Sequence, residues 1–92
     1  MRIIDVDKEL NDVPNFVHNE IEATRKQGCE YLMVVCDTFN DYEVFSFDPD
    51  KGQLIGCDYP IYCKDYDELL IEYSKYNGKN IQEVRGVYKV GP

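Results

Sequence analysis

Histidine is nearly absent: His18 is the only one in 92 residues. A Ser–His–Asp or Cys–His arrangement would have to use it, yet the helical wheel puts it on a polar face, where a solvated side chain is the simpler reading. The six glycines, at 28, 52, 56, 78, 86 and 91, are too scattered to build a loop that cradles phosphate with its backbone amides. No stretch approaches the ~20 apolar residues of a membrane span. The first twelve residues hold four acids and no apolar segment of the kind that directs export. Internal repeats, low-complexity tracts and linkers are missing too, so residues 1–92 read as a single α+β domain.

The cysteines Cys29, Cys36, Cys57 and Cys63 match neither the spacing of a zinc ribbon nor a CxxC redox pair. Cys36 stands in an apolar run and Cys57 in a β-prone one, where a free thiol behaves as a small hydrophobe. Together with the acidic first twelve residues, this predicts a cytoplasmic protein whose thiols stay reduced and hold no metal. No cofactor is expected.

Basic residues are scarce as well, 10 against 18 acids, for a net charge of −8. Such a balance disfavours direct contact with nucleic acid or anionic membrane and favours basic partners. It is uneven. Residues 1–74 carry 17 acids and 6 bases, a charge of −11, whereas residues 75–92 carry Glu83 against four bases, a charge of +3. The simplest reading of the basic tail is a strand lying beside acidic ones. A chain this short buries about 60–65% of the surface its unfolded form exposes. That is enough for one modest core, with which a deep substrate cavity would compete.

What is present is β-structure. Tyr31 to Cys36 is apolar on both strand faces, as a strand interior to a sheet should be. Two turn signals follow, Asn40–Asp41 and Pro49–Asp50–Lys51–Gly52, and predict an antiparallel meander through residues 30–59. Within it, YEVFSFDPDKGQLIG resembles the last hairpin of PepSY-type domains, which also set a helix before a sheet; the likeness implies a local fold and no function. Ahead of the meander, Arg2–Val6 reads as a short edge strand or ordered arm, and Asp7–Asp12 as an acidic loop. A helix is predicted over Val13–Gln27, with Pro14 in its first turn, Asp12 as cap and Gly28 in the left-handed position after its end. On the wheel Val13, Val17, Ile21 and Thr24 share a broad face with Phe16 and Ala23. Glu20 falls in the middle of that face, either at the rim of the sheet or buried with a partner, and a structural hydrogen bond, a tyrosine hydroxyl being one candidate partner, is the reading preferred over catalysis. Tyr59–Pro60 is expected to break the sheet. Asp65 and Glu68 form a capping-box variant opening a helix over Tyr66–Tyr76, with a core-facing arc of Tyr66, Leu69, Leu70, Tyr73 and Tyr76. A final strand over Val84–Val90 returns to the sheet. The expected fold is a mostly antiparallel four-stranded sheet with two helices on one face, in the order (β)αβββαβ.

Chemistry-bearing constellations are sparse. Asp5-x-Asp7 and Asp48-x-Asp50 hint weakly at a divalent cation, but the ligand series and closing glutamate of an EF-hand are missing. No catalytic and no metal-binding residue is expected, and a small metal-dependent enzyme using Glu20 and the aspartate loops is the least favoured function. The distinctive stretch is Cys57–Tyr76, with five tyrosines and five acids. Tyrosine gives large contact area at low entropic cost, and carboxylates along a rigid element present negative charge much as a phosphate backbone does. Ile71 points away from the apolar arc, among charged neighbours. The expected partner-binding residues are Asp58, Tyr59, Tyr62, Asp65, Asp67, Glu68, Ile71 and Glu72. The favoured function is a non-enzymatic, acidic inhibitor of a basic nucleic-acid-handling protein. By size and charge, though by no shared motif, it is similar to small phage-encoded inhibitors of CRISPR or restriction machinery, which act in the host cytoplasm. The alternative is an intracellular adaptor or homodimeric subunit, joined through an exposed sheet edge.

Overall fold

A computed structural model describes residues 1–39, 42–43, 46–48, 53–55, 58–76 and 82–91. The fold is α+β. The strands are β1 (Ile4–Asp5), β2 (Tyr31–Phe39), β3 (Tyr42–Glu43), β4 (Ser46–Asp48), β5 (Gln53–Ile55), β6 (Asp58–Cys63) and β7 (Gln82–Lys89), and the helices are α1 (Asn15–Lys26) and α2 (Tyr66–Tyr76). β2 is the interior strand that its doubly apolar sequence requires. Residues 31–36 pair antiparallel with β6 on one side and with β7 on the other. Beyond β7, β1 adds in parallel, and the amide of Val6 extends that ladder by donating to the Lys89 carbonyl at 3.1 Å.

The sheet is therefore mixed, and it is not a meander. Both expected antiparallel pairings across the turns do form, β2 with β3 at Thr38↔Glu43 and Phe39↔Tyr42 and β4 with β5 at Ser46↔Ile55 to Asp48↔Gln53, but β4 and β5 make a separate two-stranded sheet and do not extend the main one. The turn residues Asn40–Asp41 and 49–52 lie outside the described residues, as do Asn77–Gly78. The predicted break at Tyr59–Pro60 is also overturned, because β6 runs through it to Cys63. Among the described residues β6 pairs only with β2, and on an edge strand a proline's missing N–H need cost no ladder bond.

The helices lie on opposite faces of the sheet, not on one. Strand alternation sends Leu32 and Val34 into a core with Val13 and Val17 from the α1 side, closed by Tyr88 and Val90. It sends Tyr31, Met33 and Val35 the other way, against Leu69 of α2, Cys63 and Val87. A strand apolar on both faces needs cover on both, and one helix supplies each side.

Local chemistry sets the limits of the helices. Val13, preceding Pro14, is extended (φ −98°, ψ 118°), as the residue before a proline prefers. The helix thus begins at Asn15 rather than Val13, and Asp12 ends a short 3-10 turn, Leu10–Asp12, instead of capping. At the other end Gly28 takes φ 72°. Its amide donates to the Arg25 carbonyl at 3.0 Å, and that of Cys29 to the Thr24 carbonyl at 3.1 Å, the paired bonds of a Schellman motif. Of the predicted α1 face, Val17 and Thr24 are buried and Ile21 and Ala23 half-buried, but Phe16 is exposed. The C-terminal segment is clamped nearby. The amides of Val90 and Gly91 both donate to the Glu30 carbonyl, at 2.9 and 3.0 Å, and Arg25 Nε donates to the Val90 carbonyl at 2.6 Å. A Cβ at Gly91 would lie 2.8 Å from Glu30 Cα, which explains why glycine sits at this crossing.

Cys29 and Cys63 are free and buried, as expected, but Cys36 is disulfide-bonded, against the expectation of a reduced thiol. Pairing depends on which Cα atoms the fold brings to about 4.4–6.8 Å, and spacing along the chain does not encode that. Alkylation of the denatured, unreduced protein should label Cys29 and Cys63 and leave Cys36 untouched. Quantitative labelling of Cys36, read by peptide mass spectrometry, would disprove the bond.

Candidate partner-binding surface

The outward side of α2 follows from how its first turn is built. Asp65 precedes the helix and its Oδ1 accepts the amide of Glu68 at 2.9 Å, while Glu68 Oε2 reaches back to accept the amide of Lys64 at 2.8 Å. The expected capping box is present, reaching back to Lys64, one residue before the cap. Two of the expected partner-binding acids thus hold the helix start, where carboxylates also offset the positive end of the helix dipole.

From this start the helix turns a narrow face inward. Leu69 is fully buried and Tyr73 and Tyr76 pack against the same core. The expected five-residue arc was too broad, for Tyr66 and Leu70 keep 48% and 41% of their surface exposed. Tyr66 leans on Tyr31, ring centroids 6.1 Å apart. Ile71 is 59% exposed, the outward orientation its position on the wheel predicts. Asp67 is exposed beside it, and Glu72 accepts from Lys75 Nζ at 3.0 Å, a bond that raises the lysine's pKa.

The expected residues on β6 do not join this surface as a group, because strand alternation divides them. Tyr59 turns to the α2 side and is packed into its core. Tyr62 faces α1, where its hydroxyl donates to Glu20 Oε2 at 2.5 Å. That bond, with burial behind it, raises the Tyr62 pKa above the ordinary phenol value, and it gives Glu20 the hydrogen-bond partner its position called for. Asp58 shares the parity of Tyr62. It meets Arg85 Nε at 3.4 Å across β2. The register jumps from Val34↔Gly86 to Val35↔Val84, so Arg85 is the extra residue of a β-bulge, a device that re-aims a side chain. The tail residue Arg85 thus pairs with an acid across the interior strand, as the reading of a basic strand among acidic ones requires.

Asp67, Glu68, Ile71 and Glu72 therefore stay together on α2, with Asp65 at its cap, joined by Tyr66 and Leu70, which pattern reading assigned to the core. Their exposure has no local signal, since it depends on the width of the sheet beneath the helix. Among the described residues no three His, Cys, Asp or Glu side chains are grouped to hold a metal ion. Asp5 Oδ1 instead accepts the Asp7 amide at 3.0 Å, and Asp7 Oδ1 accepts from Arg25 Nη2 at 3.4 Å. No described helix is long and apolar enough to cross a membrane. Comparison with protein-family models, curated proteins and solved structures finds no match to this chain.

Proposed function

We propose that this chain is a non-catalytic inhibitor that binds a basic, nucleic-acid-handling protein through the outward face of α2. The observation that carries this reading is the exposure of Leu70 and Ile71 beside Asp67, downstream of the acidic start of the helix, in a chain of net charge −8. An aliphatic pair amid carboxylates fits an apolar pocket with a basic rim, a geometry that nucleic-acid grooves offer. An inhibitor seated there would act as a nucleic-acid mimic, in the manner of small phage-encoded inhibitors of CRISPR or restriction enzymes. The adaptor or homodimer joined through a sheet edge has less support: β1 is two residues long and β6 carries Pro60, and both features blunt an edge.

The test is a partner captured from the native host and then titrated with this protein in the presence of its nucleic acid. Binding should be mutually exclusive with nucleic acid. It should weaken between ~0.1 M and ~1 M salt, as the screening length falls from ~10 to ~3 Å. Each exposed charge pair contributes only about 0.2–1 kcal/mol. Neutralising Asp67 or Glu72 singly should therefore be nearly silent, while neutralising both slows association. Ile71→Ala should speed dissociation. Tyr62→Phe, on the other side of the sheet, should lower stability by about 1 kcal/mol and leave binding unchanged. Affinity indifferent to salt, or a ternary complex with nucleic acid still seated, would sink the reading.

A further inference from the structure

We infer that the outward face of α2 also fits a second copy of this chain, packed antiparallel about a two-fold axis passing between Leu70 and Ile71. This does not rest on the basic partner proposed above; it follows from the order of side chains along the helix. The exposed residues of α2 beyond the capping segment are Tyr66, Asp67, Leu70, Ile71, Ser74 and Lys75. Side chains four apart stand one above the other on a helix, so Asp67 and Ser74 run down the middle of this stripe, with Leu70 and Ile71 flanking it at its centre.

Two such helices, antiparallel and related by that two-fold, bring both Leu70 and both Ile71 side chains into one apolar cluster. At each end Asp67 comes level with Ser74 of the second copy and within one residue of its Lys75. The hydroxyl can donate to the carboxylate, and the ammonium, which already holds Glu72 Oε1 of its own helix at 3.0 Å, has further N–H groups with which to bridge to it. The contact is self-complementary, as a two-fold interface must be. Asp67 and Lys75, the charged residues most exposed on this stripe, meet across it as opposite charges although the chain as a whole carries −8. Antiparallel helix dipoles add to the attraction. Parallel packing would instead set Asp67 against Asp67.

An eleven-residue helix is only about 16 Å long, so the pair buries well under the ~1,200 Å² of a stable interface. The dimer should be weak, with Kd on the order of 0.1–1 mM. Two copies of charge −8 repel at long range, so salt should strengthen this association, the opposite of its effect on binding to a basic partner.

Sedimentation equilibrium from about 10 μM to about 1 mM protein, at ~0.1 M and ~0.5 M salt, tests the inference. A monomer–dimer equilibrium tighter at the higher salt is expected, and Ile71→Asp should abolish it. Asp67→Lys alone and Lys75→Asp alone should each remain monomeric, since each sets like charges together. An equimolar mixture of the two should dimerise again, because both cross-pairs then have opposite sign. All three positions are exposed, so circular dichroism should show each variant folded. A chain that stays monomeric at ~1 mM in high salt, a dimer that survives Ile71→Asp, or a mixture of the two charge variants that stays monomeric overturns the proposal. A dimer surviving Ile71→Asp would point to a contact away from α2. None of these outcomes bears on the salt response of a basic partner, so the two readings fail separately.

Discussion

Leu32→Ala and Met33→Ala should each destabilise the fold by about 2–5 kcal/mol, the range for truncating a fully buried aliphatic side chain. Both residues are inaccessible to solvent and they are neighbours in sequence. They nonetheless fill different cores: Leu32 packs in the cluster beneath α1, and Met33 in the one beneath α2. Chemical denaturation of the two single variants and the double variant is the measurement. Similar losses, adding nearly fully in the double variant, are expected of sites that share no partners. A sheet with both helices on one face would leave one of the two side chains open to water, and its truncation would cost under half a kcal/mol. That outcome would disprove the two-sided cover on which the rest of the architecture depends.

The second large effect is alkaline destabilisation. Burial pushes the Cys63 thiol up to about 12, with further contributions from the charges of Glu68, Glu72, Cys29 and Asp65. Tyr62 is raised by its bond to Glu20, and Tyr88 by burial and then by the charge of Asp58. All three groups hold their protons more tightly folded than unfolded. Their contribution to stability is therefore complete below the unfolded values, about 8.5 for a thiol and about 10 for a phenol. It is lost as pH rises through the folded ones. Between pH ~9 and about 12 the Cys63 thiol alone should lower the unfolding free energy by up to about 1.4 kcal/mol per pH unit. Urea midpoints measured at pH 7, 9 and 10.5 should fall accordingly. Cys63→Ala should flatten the decline that begins near pH 9 while leaving the tyrosine part above pH 10. A stability profile flat to pH 10.5 would mean that Cys63 is accessible to water. The same burial predicts that thiol reagents label Cys63 only as fast as the protein unfolds.

Much of this molecule is legible from residue order, because the signals involved are local. An apolar run on both faces marks Tyr31–Cys36 as an interior strand, the Asp65/Glu68 pair marks the start of α2, and Gly28 after a basic last turn announces its left-handed φ. Glu20 on an apolar face asks for a hydrogen-bond partner, and the fold supplies the hydroxyl of Tyr62. Each of these inferences spans a few residues or asks only for a generic partner. What the tertiary structure alone decides is which surface answers each face. A doubly apolar strand requires two covers, but nothing in its order says that α1 takes one face and α2 the other. Turn signals mark where the chain reverses, and β2 does pair with β3 and β4 with β5, yet along residues 31–36 the neighbours of β2 are β6 and β7 from much later in the chain. Pro60 reads as a breaker until its strand is known to lie at an edge. The disulfide of Cys36 and the exposure of Tyr66 and Leu70 belong to the same class. Both depend on which segments the fold brings together, where burial and pairing are settled by global packing and local propensity no longer decides.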